Sequence, residues 1–227
     1  MLILGIDTST SAIGVGLSDA DAVVGAAHRV EARGHAEHLA PLVVALLADA
    51  GVRPADLTAI VVGNGPGPFT GLRVGIVTGL TMGHALGVPV HGLCSLDVLA
   101  AQTGSISGEV LVATDARRKE VYWARYQRDA PETSLPDGVP EVVRLTEPAV
   151  DRPAELPEAV RSLPTAGRGP ILYPDLFPSP LEPLDVDAGV LALLGARGIS
   201  AGRDLPVEPL YLRRPDALTT AERGVRQ

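Results

Sequence analysis

LILGID (residues 2–7) and VLVATD (residues 110–115) are the two stretches whose reading decides the fold of this chain. Each is an apolar run of strand character that ends in an aspartate. A polar turn follows each, TSTS after Asp7 and ARRKE after Asp115, and then a second strand-like run, AIGVGLS (12–18) or VYWARYQ (121–127). Two copies of one strand-Asp-turn-strand unit, offset by 108 residues, predict a duplicated lobe with Asp7 and Asp115 at equivalent turns. Taken singly, each aspartate is equally an ordinary turn residue whose side chain bonds nearby backbone.

Working outward, AVVGAAH (22–28) adds a third strand to the first unit, which then reads as a β-meander. Residues 36–50, AEHLAPLVVALLADA, carry a helical pattern, TAIVVGN (58–64) a buried strand, VPVHGL (88–93) another strand, and a further helix begins near Ser95, a good N-cap type. Between the two strands lies GNGPGPFTGLRVGIVTGLTMGHALG (63–87), a glycine-proline turn running into a helix over 70–87 with glycine at 71, 75, 79, 83 and 87. Glycine costs about 0.5–1 kcal/mol relative to alanine inside a helix, so the series requires a close neighbour. Four residues advance a helix by about 400°, so the glycines spread over nearly half its circumference. They can face the chain's own sheet, a partner helix, or both. Fifteen of the twenty prolines lie beyond residue 128, so the second half is expected to be loop-rich. The division expected is 1–104 for the first lobe and 105–227 for a reduced second lobe, its last segment packing back on the first.

Composition removes several function classes. A hydrophobic fraction of 46% and mean hydropathy of +0.22 indicate a globular chain, and no apolar run reaches the roughly 20 residues of a membrane span. MLILGIDTSTS has no basic stretch ahead of its apolar run, so no secretory signal is expected. A single cysteine, Cys94, leaves no internal disulfide and fits the cytoplasm. A net charge of −8 argues against a chain that grips nucleic acid alone, since phosphate neutralisation supplies most non-specific affinity. Any RNA contact is expected to come through a partner.

The duplicated strand-Asp-hairpin lobe resembles the actin-like ATPase superfamily, whose two ribonuclease-H-like lobes hold nucleotide between them. More closely, LGIDTSTSAIGVGL, HAEHLAPLVVALL, GNGPGPFTGLRVGI, TDARRKEVY and PLYLRR, in this order, resemble the bacterial TsaB (YeaZ) family of tRNA modification. The resemblance covers almost the whole chain and is weakest over 128–190. The family usually has serine where this chain has Pro68, which removes an N–H and a hydroxyl from the glycine turn. The resemblance implies an α/β fold of two ribonuclease-H-like lobes and a scaffold role without chemistry of its own. Its implied partners are a TsaD-like catalytic paralogue and a TsaE-like ATPase, which together transfer threonylcarbamoyl to the adenosine beside the anticodon. tRNA is met only through that complex, and a homodimer forms through the same surface when the chain is alone. The implied partner surface lies on helices 36–50 and 70–87 and draws on His35, His38, Leu39, Leu42, Leu72, Arg73, Gly75, Ile76, Gly79, Leu80 and Gly83. A vestigial or shared nucleotide-like site is implied at Asp7, Thr8, Ser9, Gly65, Gly67, Thr70, Asp115 and Arg117. No cofactor is expected to be held firmly; ATP or ADP with Mg²⁺ would lie at a subunit junction.

Three other chemistries compete with that reading. An active nucleotide enzyme would use Asp7 to hold a metal-bound water and the glycine turn to present N–H groups to phosphate. Against it, Ser9 stands where actin-like kinases usually carry glycine, and Pro66 and Pro68 have no N–H to donate. A metallopeptidase would need three ligands and a base, whereas His35 and His38 have i, i+3 spacing in place of the HExxH i, i+4 pair. Cys94 could gain reactivity from the helix that follows it, although a small buried hydrophobe is the simpler reading. Arg117, Arg118, Lys119 and Glu120 form the most charged tight turn in the chain, by default a solvated one, with ion pairs across the inter-lobe cleft or a contact with a partner or tRNA as the alternatives.

Overall fold

The computed structural model describes residues 1–19, 21–31, 34–104, 106–128 and 142–213. Its first sheet has the order β3-β2-β1-β4-β5, from β1 (Ile3–Asp7), β2 (Ala12–Ser18), β3 (Val23–Val30), β4 (Ala59–Gly63) and β5 (Val90–Leu93). β1 pairs antiparallel with β2 and parallel with β4, and β4 pairs parallel with β5. The second sheet repeats this plan in shorter form. β6 (Gly108–Asp115) pairs antiparallel with β7 (Val121–Arg128), as β1 does with β2. β8 (Val142–Arg144) and β9 (Ala149–Asp151) both pair with β7, and β10 (Thr165–Ala166) runs parallel to β6 as β4 does to β1. The molecule is thus an α/β protein of two ribonuclease-H-like lobes, the second reduced. The proline-rich expectation appears here as strands of two or three residues and two one-turn helices, α4 (Glu158–Arg161) and α5 (Gly169–Leu172).

Alternation along the strands assigns the layers. Leu4 and Ile6 of β1, and Ile60 and Val62 of β4, share a core with Leu39, Val43, Leu72 and Ile76 from α1 (His35–Asp49) and α2 (Phe69–Leu86). Ile3 and Val61 point the other way, into a core with Leu191, Ala192 and Ala196 of α6 (Ala188–Ser200). That second core also takes Leu96, Val98 and Leu99 of α3 (Ser95–Ala101) and Val110, Val112 and Tyr126 of the second sheet. It is the seam that joins the lobes. α6 has no counterpart in the sequence-based reading, although Asp187 caps it by accepting from the N–H groups of Gly189 and Val190.

The structure settles which way the glycines of α2 face. Gly71, Gly75, Gly79 and Gly83 are all buried against the chain's own strands, and Gly87 ends the helix at φ 68°. A Cβ on Gly75 would sit 2.5 Å from Thr8 Oγ1, and one on Gly79 would collide with Val62. Gly75, Gly79 and Gly83 are therefore corrected from partner-contact positions to core positions, and with them Leu39, Leu72 and Ile76, none more than 6% exposed. Placing α2 this low on the sheet demands glycine there. Replacing Gly79 by leucine is accordingly predicted to overpack the sheet side and lower stability by about 1–3 kcal/mol or more. Thr81→Leu, on the outer face of the same helix, should change it by less than about 0.5 kcal/mol. Urea denaturation of the two variants beside the parent measures both.

Candidate functional site

The two aspartates that mark the duplication lie at the ends of β1 and β6, one on each lobe. Asp7 is fully buried and its oxygens are occupied. Oδ1 accepts from the backbone N–H of Ser9 at 2.9 Å and from its hydroxyl at 2.8 Å, while Oδ2 accepts from Ser95 Oγ at 2.7 Å. Ser95, read from sequence as the cap of α3, spends its hydroxyl on Asp7, and Cys94 takes the N-cap position. Burial pushes the Asp7 carboxyl above its ordinary range, against the hydrogen bonds from Ser95 and Ser9 that favour the anion. A negative charge from Asp185 adds to the rise.

Thr8, next in the turn, is also buried and holds α2 in place. Its hydroxyl donates to the Gly71 carbonyl at 2.7 Å and accepts from the Gly75 N–H at 3.0 Å, bridging the two groups of one i, i+4 step of the helix. The glycine-proline turn packs inward: a Cβ on Gly67 would lie 2.5 Å from the Ser9 carbonyl oxygen, and Tyr122 of the second lobe donates to the Gly67 carbonyl. The Gly65 carbonyl accepts from the Ser95 N–H at 2.8 Å. Loop and turn are closed on one another, not open toward a phosphate.

On the facing hairpin Asp115 accepts from the Arg117 N–H at 2.7 Å and pairs with the Arg117 guanidinium at 3.0 Å. Arg117, Arg118 and Lys119 all have φ between 55° and 64°, three successive non-glycine residues in the left-handed region. The turn is tied by Glu120 N–H to the Arg117 carbonyl at 3.0 Å and by an Arg213 to Glu120 ion pair. Between Ser9, Asp115 and Arg117 the lobes leave a cavity of about 10 Å³, room for one water. The cleft residues therefore do not fit a magnesium nucleotide: the space is filled and the Asp7 carboxylate is saturated. A larger hollow of about 370 Å³ lies alongside, walled by Thr8, His35, Glu37, Thr70 and Arg117. The structure thus brings Ser9, Asp115 and Arg117 together, and Thr8, Thr70 and Arg117 together, while Asp7 is sealed behind them and Gly65 packs on Leu72.

The other candidate is the outer face of α1 and α2. His35, His38 and Leu42 are half-buried there, and Arg73 and Leu80 are exposed. The apolar residues left in solvent are Val44 at 68%, Phe69 at 54%, Val77 at 53% and Leu80 at 45%. Around them Ala36, Ala40, Ala45, Ala48 and Ala85 are also exposed, so the face is small and apolar. The helical spacing of Phe69, Val77 and Leu80 was the signal available in the sequence; the glycine series drew attention to the wrong side of the helix. The face continues past α2 into a groove of about 590 Å³ against residues 207–211. Phe69 and Tyr211 lie with ring centroids 5.3 Å apart there, and Arg73 sits 5.0 Å from the Phe69 ring.

The remaining candidates fall away. Burial pushes the Cys94 thiol up to about 12, so it is an inert core group. His38 pairs with Glu31 at 3.1 Å, and among the described residues no three His, Cys, Asp or Glu side chains are grouped to hold a metal. No described helix is long and apolar enough to cross a membrane.

Comparison with known proteins resolves the ancestry. The family model for TsaD, tRNA N6-adenosine threonylcarbamoyltransferase, matches residues 20–164. The structure of YeaZ from Pseudomonas aeruginosa superposes with a TM-score of 0.73 at 30% identity, covering 93% of this chain and 99% of that one. The chain belongs to the TsaB/YeaZ family. TsaB of Escherichia coli is 42% identical over 133 residues, 57% of this chain and 56% of that protein. An uncharacterized protein of Mycobacterium tuberculosis is 44% identical over 220 residues, 95% of this chain and 93% of the relative. The TsaB/YeaZ fold is thus present here with its inter-lobe cleft closed.

The buried Asp7 gives a test of that closure. Between the ordinary aspartate value and its raised folded value, the folded chain binds more protons than the unfolded one. Asp7 therefore contributes stability that is present at low pH and lost as pH rises through the folded value. Asp7→Asn should be at least as stable as the parent at pH 7, with the difference shrinking as the pH falls toward about 4. Denaturant titrations at the two pH values measure it; a strongly destabilised Asn variant at pH 7 would mean that the site is built for the anion.

Proposed function

We propose that this chain is the non-catalytic scaffold subunit of the machinery that transfers threonylcarbamoyl to the adenosine next to the tRNA anticodon. Its working surface is the outer face of α1 and α2, which docks on a TsaD-like catalytic paralogue. The observation that carries this reading is the pairing of a filled cleft with an exposed apolar helix face, in a chain whose relatives include proteins named for tRNA threonylcarbamoyladenosine biosynthesis. A partner accounts for Val44, Val77, Leu80 and Phe69, which the fold leaves in water. A TsaE-like ATPase and tRNA join through the complex, consistent with the net charge of −8. Alone, the chain pairs with itself through the same face. A nucleotide shared with the partner would lie in the hollow beside His35, Thr70 and Arg117, where Arg117 and two helix N-termini face space that a second subunit can close.

The alternative, an ATPase acting alone, requires the cleft to open and Asp7 to release Ser9 and Ser95. Calorimetric titration of the TsaD-like paralogue into this chain distinguishes the readings. Val77→Asp and Leu80→Glu, both on the exposed face, should weaken binding by about thirtyfold or more while circular dichroism is unchanged. Asp7→Ala should leave the heterodimer intact, and the isolated chain should show no ATP turnover. Wild-type affinity in both face variants, or turnover by the chain alone that Asp7→Ala abolishes, would overturn the scaffold reading.

A further inference from the structure

β3 is an edge strand: among the described residues its one neighbour in the sheet is β2. The Glu31 N–H donates to the Ser11 carbonyl at 3.0 Å, and Val30 stands opposite Ala12, His28 opposite Gly14 and Ala26 opposite Gly16. Hydrogen-bonded and non-hydrogen-bonded positions alternate along an antiparallel pair. Ala27 and Arg29 therefore spend their backbone groups on β2, while those of Ala26, His28 and Val30 point away from the sheet. Such an edge is a template for another strand, and soluble proteins usually blunt it with lysine, proline or a bulge. β3 has its register shift only at its start, opposite Leu17 and Ser18, and it contains no lysine or proline. Instead it carries Val23, Val24 and Val30, each at least 40% exposed.

A hollow of about 350 Å³ runs beside this strand. Ala26, His28 and Val30 form one side of it, and Glu182 with residues 184–188, the segment that leads into α6, forms the other. Two of the charged groups in its wall cancel, since Arg168 Nε donates to Asp185 Oδ1 at 2.8 Å. Asp187 is held at the start of α6, where it accepts from the N–H groups of Gly189 and Val190. Glu182 is exposed, and among the described residues no cation pairs with it. The wall that faces the strand is therefore apolar to acidic.

We propose that β3 takes an extended, basic segment of a partner protein as a sixth strand of the first sheet. Its main chain pairs with Ala26, His28 and Val30, and its lysine or arginine side chains, at every second residue, turn toward Glu182 and Asp187. In this mode main-chain bonds supply affinity and alternate side chains supply specificity. A second copy is the poorer occupant, because β3 against β3 joins two chains of net charge −8 and offers the carboxylates no opposite charge. Neither β3 nor Glu182 lines the cleft cavity or the groove at α2, so this surface is separate from the one assigned to the scaffold role.

Fluorescence anisotropy on the full chain tests this with three labelled peptides of about seven residues, near the length of β3. One alternates valine and lysine, the second is the same peptide N-methylated at its three central residues, and the third has glutamate for lysine. The first should bind about tenfold more tightly than either of the others, which lack the main-chain donors or the charge. His28→Pro removes an outward N–H and leaves the β2 ladder intact, so it should weaken binding about fivefold with circular dichroism unchanged. Glu182→Lys should weaken it about threefold, while Glu158→Lys, the same charge change on α4, should not. If His28→Pro does not fold, the methylated peptide and Glu182→Lys still decide the question. Equal binding of the methylated or the glutamate peptide, unchanged affinity in the folded variants, or no binding at about 1 mM would overturn the assignment. A dimer that His28→Pro disperses, in a chain that binds none of the peptides, would give the edge to a second copy instead.

Discussion

The hydroxyl of Thr8 is wedged between the Gly71 carbonyl and the Gly75 N–H, and the architecture of the first lobe follows from that contact. A side chain from the end of β1 can reach into a helix only if the helix lies directly on the strand. Glycine at 71, 75, 79 and 83 is what permits it, since each Cβ would strike Thr8, Val62 or Val90. The helical penalty of about 0.5–1 kcal/mol per glycine is offset by two buried hydrogen bonds and by the burial of Ile6, Ile60 and Leu72 along the same line. Because α2 sits so low, its opposite face stands clear of the sheet, and Val77 and Leu80 are left in water. The inward and outward properties of this helix are two results of one constraint.

The same economy explains the cleft. An aspartate that is to hold a hydrated metal ion must stay free, whereas Asp7 is spent on Ser9 and Ser95. A Cβ on Gly63 would collide with its carboxylate, so the strand beside it closes the remaining approach. A carboxyl that is buried and raised in pKa is a poor ligand for a divalent cation, which needs it ionised and exposed. What the fold closes is the cleft between its lobes, and what it exposes is a helix face.

Much of this was legible in the sequence because it depends on local rules. The apolar runs ending at Asp7 and Asp115 located both hairpins, and the glycine series located α2 to within a residue. Facing was not legible: a 40° drift per glycine covers nearly half the helix, and only the position of Thr8 decides which half is buried. α6 was missed because its apolar run VLALLGARGIS follows a proline-broken stretch and its partners, Gly5, Gly14 and Gly16, lie at the other end of the chain. Ser95 was misread for a similar reason. As a residue type it suits a cap, but its acceptor is 88 positions away.

The hairpin at 115–121 shows how the second lobe is fixed to the first. Three successive left-handed residues cost about 1–2 kcal/mol each, which bonds within the hairpin and a contact from outside it offset. Asp115 receives the Arg117 amide and guanidinium, and Arg213, at the end of the segment that runs along β5, pairs with Glu120 and donates to the Arg117 carbonyl. That segment is itself anchored on the first lobe, through Gly92 N–H to the Leu205 carbonyl, Leu210 N–H to the Asn64 carbonyl, and Tyr211 against Phe69. A strained turn of the second lobe is thus held by a strap whose other contacts include the first residue of α2. One strap ties the strained turn beside the cleft, through Arg213, to the edge of the exposed helix face, through Tyr211.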